Sequence, residues 1–341
     1  MKSGQELHPA SVASGLPADY ETIALELREV ENLMLRELES ENGFVNEVIR
    51  YGFRLGGKRL RPALVLLVGK TLGLLNSNHH RTAAVLEMIH TATLIHDDIL
   101  DGAKIRRHLE TMNIRWNSAI SVLAGDVLFT RAVRLTTVSD DLFEYRTVVN
   151  ATQTTCEAEL KQVASKGNYK LTQDKYYELI TGKTAALLSC ACLLGAYFSG
   201  ADQSTQEVFR LFGEKLGIAF QMIDDILDLV GEESVAGKTL GTDIFEGKST
   251  LPLILFMQTA SKKDQTEMLA LLQQEEKTET TLKEIVKRLS ENGSIDAARR
   301  IAAETIQSAI DLLDFPDAKI ANSASLDALK NIARYVIERK M

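Results

Sequence analysis

From Asp19 to the C-terminus, apolar residues recur at three- and four-residue steps, and strand-like alternation is nearly absent. Ile23, Leu27, Val30, Met34 and Leu38 open the pattern, one face of a helix with 3.6 residues per turn. Similar stretches cover roughly 44–53, 61–74, 81–101, 115–138, 141–165, 172–198, 204–230, 250–272, 279–292, 295–314 and 323–339. Breakers separate them: Gly56-Gly57, Asn76-Ser77-Asn78, Gly167-Asn168, Gly200, Gly231 and Gly237. A chain of this kind buries its apolar stripes by packing helix on helix. The expected fold class is therefore all-α, a single large bundle of long helices around a central cavity. No Pro/Gly/Ser-rich linker interrupts it, and there are only five prolines in 341 residues. One domain over 19–341 behind a flexible lead, 1–18, is the expected organisation.

Two acidic clusters stand at the ends of apolar helical stretches: Asp97-Asp98-Ile99-Leu100-Asp101 and Asp224-Asp225-Ile226-Leu227-Asp228. On a helix each residue advances by about 100°, so the first and fifth positions share a face. Asp97 and Asp101 can aim two carboxylates at one point, and so can Asp224 and Asp228. Clustered carboxylates repel, and a hard divalent cation such as Mg²⁺ offsets that cost with its preference for oxygen ligands. A single acidic cluster is ordinarily a solvated surface. Two copies, each preceded by apolar residues (Ala92, Leu94, Ile95; Ala219, Phe220, Met222, Ile223) and followed by bases, look like two walls of one metal–diphosphate site.

Three basic residues, Lys58, Arg59 and Arg61, follow Gly56-Gly57 and precede a helix expected to start at Pro62. That is an anion site aided by a helix N-terminus, or else a solvated cationic turn. His90 lies two helical turns before Asp97, either packed between helices or touching ligand. Arg106 and Arg107 follow the first cluster, and their planar guanidiniums suit phosphate oxygens.

Composition narrows the partners. A net charge of −8 disfavours nucleic acid. Cys156, Cys190 and Cys192 give no disulfide framework, and the last two read as small buried apolar residues. The N-terminal segment has no apolar core of a secretory signal, and the longest apolar run, 185–198, is short of the ~20 residues needed to span a bilayer. A soluble, cytoplasmic protein without a membrane span is expected.

GGKRLRP, IHTATLIHDDILDGAKIRR, GDVLFTRA, TGKTA and FQMIDDILDLVGEESVAGKTLGTDIFEGKSTLPLI occur in that order. Together they resemble the trans-isoprenyl diphosphate synthases, from about residue 45 to the C-terminal YVIERK. The resemblance implies Mg²⁺-dependent, head-to-tail condensation of isopentenyl diphosphate with an allylic diphosphate, releasing pyrophosphate, by a homodimer. Carried over by position, Lys58, Arg61, His90 and Arg107 resemble contacts to isopentenyl diphosphate. Arg106, Lys183 and Lys238 resemble contacts to the allylic diphosphate, with Thr184, Gln221 and Lys248 close by. Asp97, Asp101 and Asp224 resemble the Mg²⁺ ligands, with Asp98, Asp225 and Asp228 as helpers. The catalytic set implied is Asp97, Asp101, Arg106, Lys183, Asp224 and Lys238.

The chain departs from the family pattern at Gly102, where many relatives carry an acid, and at His108, where glycine is more usual. Gly102 suits a helix C-cap; His108 bears on the loop that carries Arg107. In the family, bulky aromatics four or five residues before the first cluster resemble a floor that stops chain growth. Here those positions are Thr93 and Ala92, with Ile89 and Met88 one turn further back. A long-chain product of octaprenyl or solanesyl type is expected. The alternatives are a farnesyl or geranylgeranyl diphosphate synthase, a class I terpene cyclase, and a non-catalytic subunit of a heteromeric synthase. The two intact acidic clusters and GGKRLRP disfavour the last two.

Overall fold

The computed structural model describes residues 18–57, 59–231, 240–274, 276–314 and 320–339. It is all-α apart from one two-residue hairpin. After a 3₁₀ turn, Ala18–Ile23, come α1 (Ala24–Glu37), α2 (Gly43–Arg54), α3 (Leu60–Thr71) and α4 (Ser77–Leu100). The hairpin strands β1 (Ile105–Arg106) and β2 (Leu109–Glu110) lead into α5 (Met112–Arg115), α6 (Ser118–Thr136) and α7 (Leu142–Ala164). Then α8 (Gln173–Ile180), a π-helical turn (Thr181–Ala185) and α9 (Ala186–Phe198) run as one rod, followed by α10 (Gln203–Val230). The remainder is α11 (Thr242–Phe245), α12 (Leu251–Thr259), α13 (Lys262–Leu272), α14 (Glu279–Glu291), α15 (Ser294–Leu312) and α16 (Ser323–Glu338). The lead expected over 1–18 lies, except for Ala18, outside the described residues.

One contiguous apolar core joins these helices. α3, α4 and α9 are apolar on most sides, so they sit inside it. Phe209 and Phe212 of α10 are fully buried, each contributing about 2–3 kcal/mol by the area they remove from water. The rod Gln173–Phe198 is long and apolar enough to cross a bilayer, but 78% of its most apolar window is buried in the protein. Cys190 and Cys192 are buried within it as expected.

Several boundaries differ from the sequence expectation, and α4 starts at Ser77, not 81, because Asn76 caps it. α3 starts at Leu60, two residues before Pro62, with Arg59 at its N-cap in a left-handed conformation (φ 57°). The single helix expected over 250–272 is two: Ala260 is extended, and the Ser261 hydroxyl accepts the Asp264 backbone N–H to cap α13. The start expected at 115 is instead α5 and α6, split at Asn117, which caps Ile120.

The N-terminus of α4 carries a pH-sensitive element. His79 is fully buried; its Nδ1 accepts the Asn76 backbone N–H and its Nε2–H donates to the Gly195 carbonyl at 3.1 Å. Those partners assign the neutral tautomer. Burial pushes its pKa down to about 4, partly offset by the Gly195 carbonyl and reinforced by His80. Between pH 6.5 and 4 the unfolded chain takes up a proton that the folded one refuses. Stability is therefore lost as pH falls through that window, by roughly 2–3 kcal/mol. Urea unfolding at both ends of the window should show wild type losing more than His79→Gln. Equal losses would contradict the assignment.

Candidate active site

The last turn of α4 presents the first acidic cluster. Asp101 closes the helix, and Gly102 follows at φ +60°, a left-handed residue that glycine adopts without strain. The Gly102 N–H bonds the Ile99 carbonyl and the Ala103 N–H bonds Asp98, a Schellman ending that satisfies the orphan carbonyls. The C-cap expectation for Gly102 holds.

The hairpin then folds back over the cluster. Arg107 (φ 52°) and His108 (φ 62°) are both left-handed, the backbone of a two-residue type I′ turn. Histidine tolerates this region better than most side chains, so the loop closes without the glycine usual at 108. Tyr51 anchors the hairpin by donating to the Glu110 carbonyl at 2.7 Å. The fold-back seats Arg106 on Asp98: its Nε lies 2.8 and 3.0 Å from the two carboxylate oxygens.

The six carboxylates fall into two groups. Asp98 is buried against Arg106; Asp225 accepts from the Tyr176 hydroxyl (2.7 Å) and Gln221 Nε2 (2.8 Å). Asp228, fully buried, accepts from the Thr242 hydroxyl (2.6 Å) and the Asp243 backbone N–H (3.0 Å). It is turned to its own loop, which differs from the expectation that Asp224 and Asp228 share one target. Asp97, Asp101 and Asp224 are more open. Asp101 faces Lys248 Nζ at 3.6 Å, and Asp224 faces Arg339 at 2.7 Å, a guanidinium that also stacks on Phe220. Burial pushes the Asp97 pKa up to about 7, against the pull of Lys183 and with the help of Glu159 and Asp101. Burial and Asp243 push Asp225 to about 7 as well.

Lys248 bridges the clusters, and Lys183 stands beside the first. Lys248 contacts Asp101, Asp243 (3.3 Å) and Glu246 (3.1 Å), and Asp243 is in turn bonded to Asp228. Lys183 is held by Glu159 (2.9 Å) and Gln162 (2.8 Å) and pulls on Asp97. Burial works against both charges, yet Asp97 and Glu159 hold Lys183 above its ordinary pKa, and Asp243, Asp101 and Glu246 do the same for Lys248. Thr184 donates to Gln221 at 2.6 Å, which passes the contact on to Asp225. Lys183, Gln221, Asp225, Asp243 and Lys248 line a cavity of about 50 Å³.

A second, cationic cluster lies where α3, α4 and the hairpin meet. Arg59 is fixed by Glu87 (2.9 Å) and Glu31 (3.4 Å) and lies over Phe53. Arg61 is buried with Nε unpartnered, and burial lowers its pKa to about 10 despite Glu87. His90 is held neutral by burial and by Arg61, Arg106, Arg107 and Arg59 around it. Buried cations with an unfilled donor are a ready anion site. Lys58 and Lys238 lie outside the described residues.

Carboxylates that desolvation penalises, opposite lysines and arginines, suit a metal-bridged polyanion. The polyprenyl synthetase profile matches residues 42–289. The chain belongs to the polyprenyl synthetase family. It is a trans-prenyltransferase, 31% identical over 314 residues (92% of this chain, 94% of the relative) to an octaprenyl diphosphate synthase of Haemophilus influenzae. A decaprenyl diphosphate synthase from Rhodobacter capsulatus has a similar structure, with TM-score 0.87 and 32% identity, covering 95% of this chain and 98% of that one. So does a polyprenyl synthase from Caulobacter crescentus complexed with calcium and isoprenyl diphosphate, with TM-score 0.86, 31% identity, and 95% and 97% covered. Geranylgeranyl pyrophosphate synthases share the fold too.

For a polyprenyl synthetase the donor set fits a hard divalent ion. The Asp97 carboxylate accepts no hydrogen bond from a described residue, and its burial is a cost that a bound cation would remove. Among the described residues no three of His, Cys, Asp and Glu converge on one point, so a bound ion would draw further ligands from diphosphate and water. Several partners in this synthetase were missed in the sequence. Glu159 and Gln162 had a signal, lying three apart on α7, as did Asp243 and Glu246, acids just before Lys248. Tyr176, Glu87 and Arg339 had none, since only the tertiary fold brings them to the site.

Proposed function

We propose that this prenyltransferase extends an allylic diphosphate with isopentenyl diphosphate, with Mg²⁺, to a long-chain all-trans polyprenyl diphosphate. The observation that carries the reaction is the facing of the two acidic clusters across Lys248, with Lys183 beside Asp97. In this reading Asp97, Asp101 and Asp224 hold the metal ions, while Asp98, Asp225 and Asp228 brace the loops and arginines around them. Bound Mg²⁺ would supply positive charge to the departing pyrophosphate. Lys183 and Lys248, with Lys238 and Arg106, orient the allylic diphosphate and stabilise the charge that develops on it. Arg61, Arg107 and Lys58 hold isopentenyl diphosphate, beside a neutral His90. Thr184 and Gln221 fix the position of Lys183 and Asp225. The apolar face of α4 excludes water from the allylic cation.

Two diphosphate sites imply separable defects. Arg61→Ala should raise KM for isopentenyl diphosphate by about tenfold or more, the scale of a hydrogen bond to a charged group, with a smaller change for the allylic substrate. Steady-state kinetics with each substrate varied decides it. Equal changes would argue against the division of Arg61 and Lys183 between sites.

Long chain length is supported by Ala92 and Thr93, small residues one turn behind Asp97, and by the similarity to an octaprenyl synthase. A shorter product is the second reading, favoured by Met88 and Ile89, fully buried and bulky two turns back. We also propose a cytoplasmic homodimer. Leu123 and Phe129 on α6 and Leu142 and Leu160 on α7 are exposed apolar side chains that a second copy would cover. Sedimentation should find a dimer in wild type and monomer in Leu123→Asp; a monomeric wild type would contradict it.

A further inference from the structure

We propose that Thr155 is a positioning residue for Lys183: its hydroxyl holds open the π turn through which that lysine reaches the site, and so sets how tightly the allylic diphosphate binds. The inference rests on the assignment of Lys183 to that substrate. In an α-helix each N–H bonds four residues back, but here the Ala186 N–H bonds the Thr181 carbonyl, five back. Such turns are rare and persist where a neighbour stabilises them.

The neighbour is one face of α7. Thr155, Ala158, Glu159 and Gln162 are spaced at the i, i+3, i+4, i+7 steps of a single stripe. The first two fit the backbone of the turn. A Cβ on Gly182 would lie 2.6 Å from the Ala158 Cβ, so only glycine lets the turn seat against α7. Thr155, 3% exposed, donates to the Gly182 carbonyl at 3.1 Å and shares its proton with the Ala151 carbonyl at 3.0 Å. The other two hold the side chain, since the Lys183 ammonium lies 2.9 Å from Glu159 and 2.8 Å from Gln162.

The widened turn explains how consecutive residues both serve the site. Lys183 points to Asp97 and α7, while Thr184 bonds Gln221 on α10. Removing the hydroxyl takes a donor from a buried carbonyl. The turn then gains by closing to the ordinary four-residue ladder, which rotates Lys183 away from Asp97. Thr155 acts only through Lys183.

Thr155→Val keeps the shape and removes the donor; Thr155→Ser keeps the donor. Hydrogen exchange over residues 177–187 and kinetics with both substrates read the two halves of the claim. The valine variant should exchange faster in that segment and raise the allylic KM about fivefold, the scale of one hydrogen bond, with the isopentenyl KM unchanged. Serine should restore both. Wild-type exchange in the valine variant, an unchanged allylic KM, or equal shifts for both substrates would overturn it. If valine does not fold, Thr155→Ala is read the same way. A wild-type chain without turnover would contradict the proposed function, and the exchange result would still decide the role of Thr155.

Discussion

Asp97→Ala and Asp101→Ala are each expected to cut turnover ~10²–10³-fold, the scale on which a group that stabilises transition-state charge acts. The fold should not suffer. Burial raises the Asp97 pKa from 3.8 to about 7, so the ionised carboxylate is disfavoured in the folded state. A carboxylate shifted upward costs stability at every pH above its unfolded pKa. Its removal should therefore leave the thermal midpoint unchanged or raise it. Pyrophosphate release with saturating Mg²⁺, beside calorimetry without metal, separates loss of function from loss of fold. Near-normal turnover in either variant would remove the metal site from the account. A large fall in midpoint would show that Asp97 has a structural partner not recognised above.

Ala92→Phe should shorten the product sharply while sparing the first condensation. Ala92 is 3% exposed on α4, five residues before Asp97. A phenyl ring there raises a floor about one helical turn, some 5.4 Å, below the first carboxylate, a depth comparable to one isoprene unit. The cost in stability should be about 1–3 kcal/mol from overpacking. Chromatography of the extracted prenyl chains is the readout. The same product from the variant as from wild type would place the floor elsewhere, at Met88 and Ile89 or on another helix.

The helical architecture was legible because apolar periodicity is a local signal, and nearly every long stretch became a helix. The two acidic clusters stood out in the sequence, but the different partners of their carboxylates did not. Spacing places Asp224 and Asp228 on one face; the fold gives Asp228 to Thr242 and Asp243 instead. The π turn at 181–185 hides in a run that reads as continuous helix, because its stabiliser, Thr155, lies on α7. The hairpin at 105–110 was missed because its turn residues, Arg107 and His108, lack the glycine or asparagine that marks a type I′ turn. The break before α13 had a visible cue, the Ser261–Asp264 cap, inside a stretch expected to be one helix.

The most direct test incubates the purified chain with labelled isopentenyl diphosphate, an allylic diphosphate and Mg²⁺, and resolves the products by length. The expected result is metal-dependent incorporation into a long all-trans chain of octaprenyl or solanesyl type. Incorporation that stops at farnesyl or geranylgeranyl diphosphate would contradict the chain-length claim, and no incorporation at all would contradict the proposed reaction.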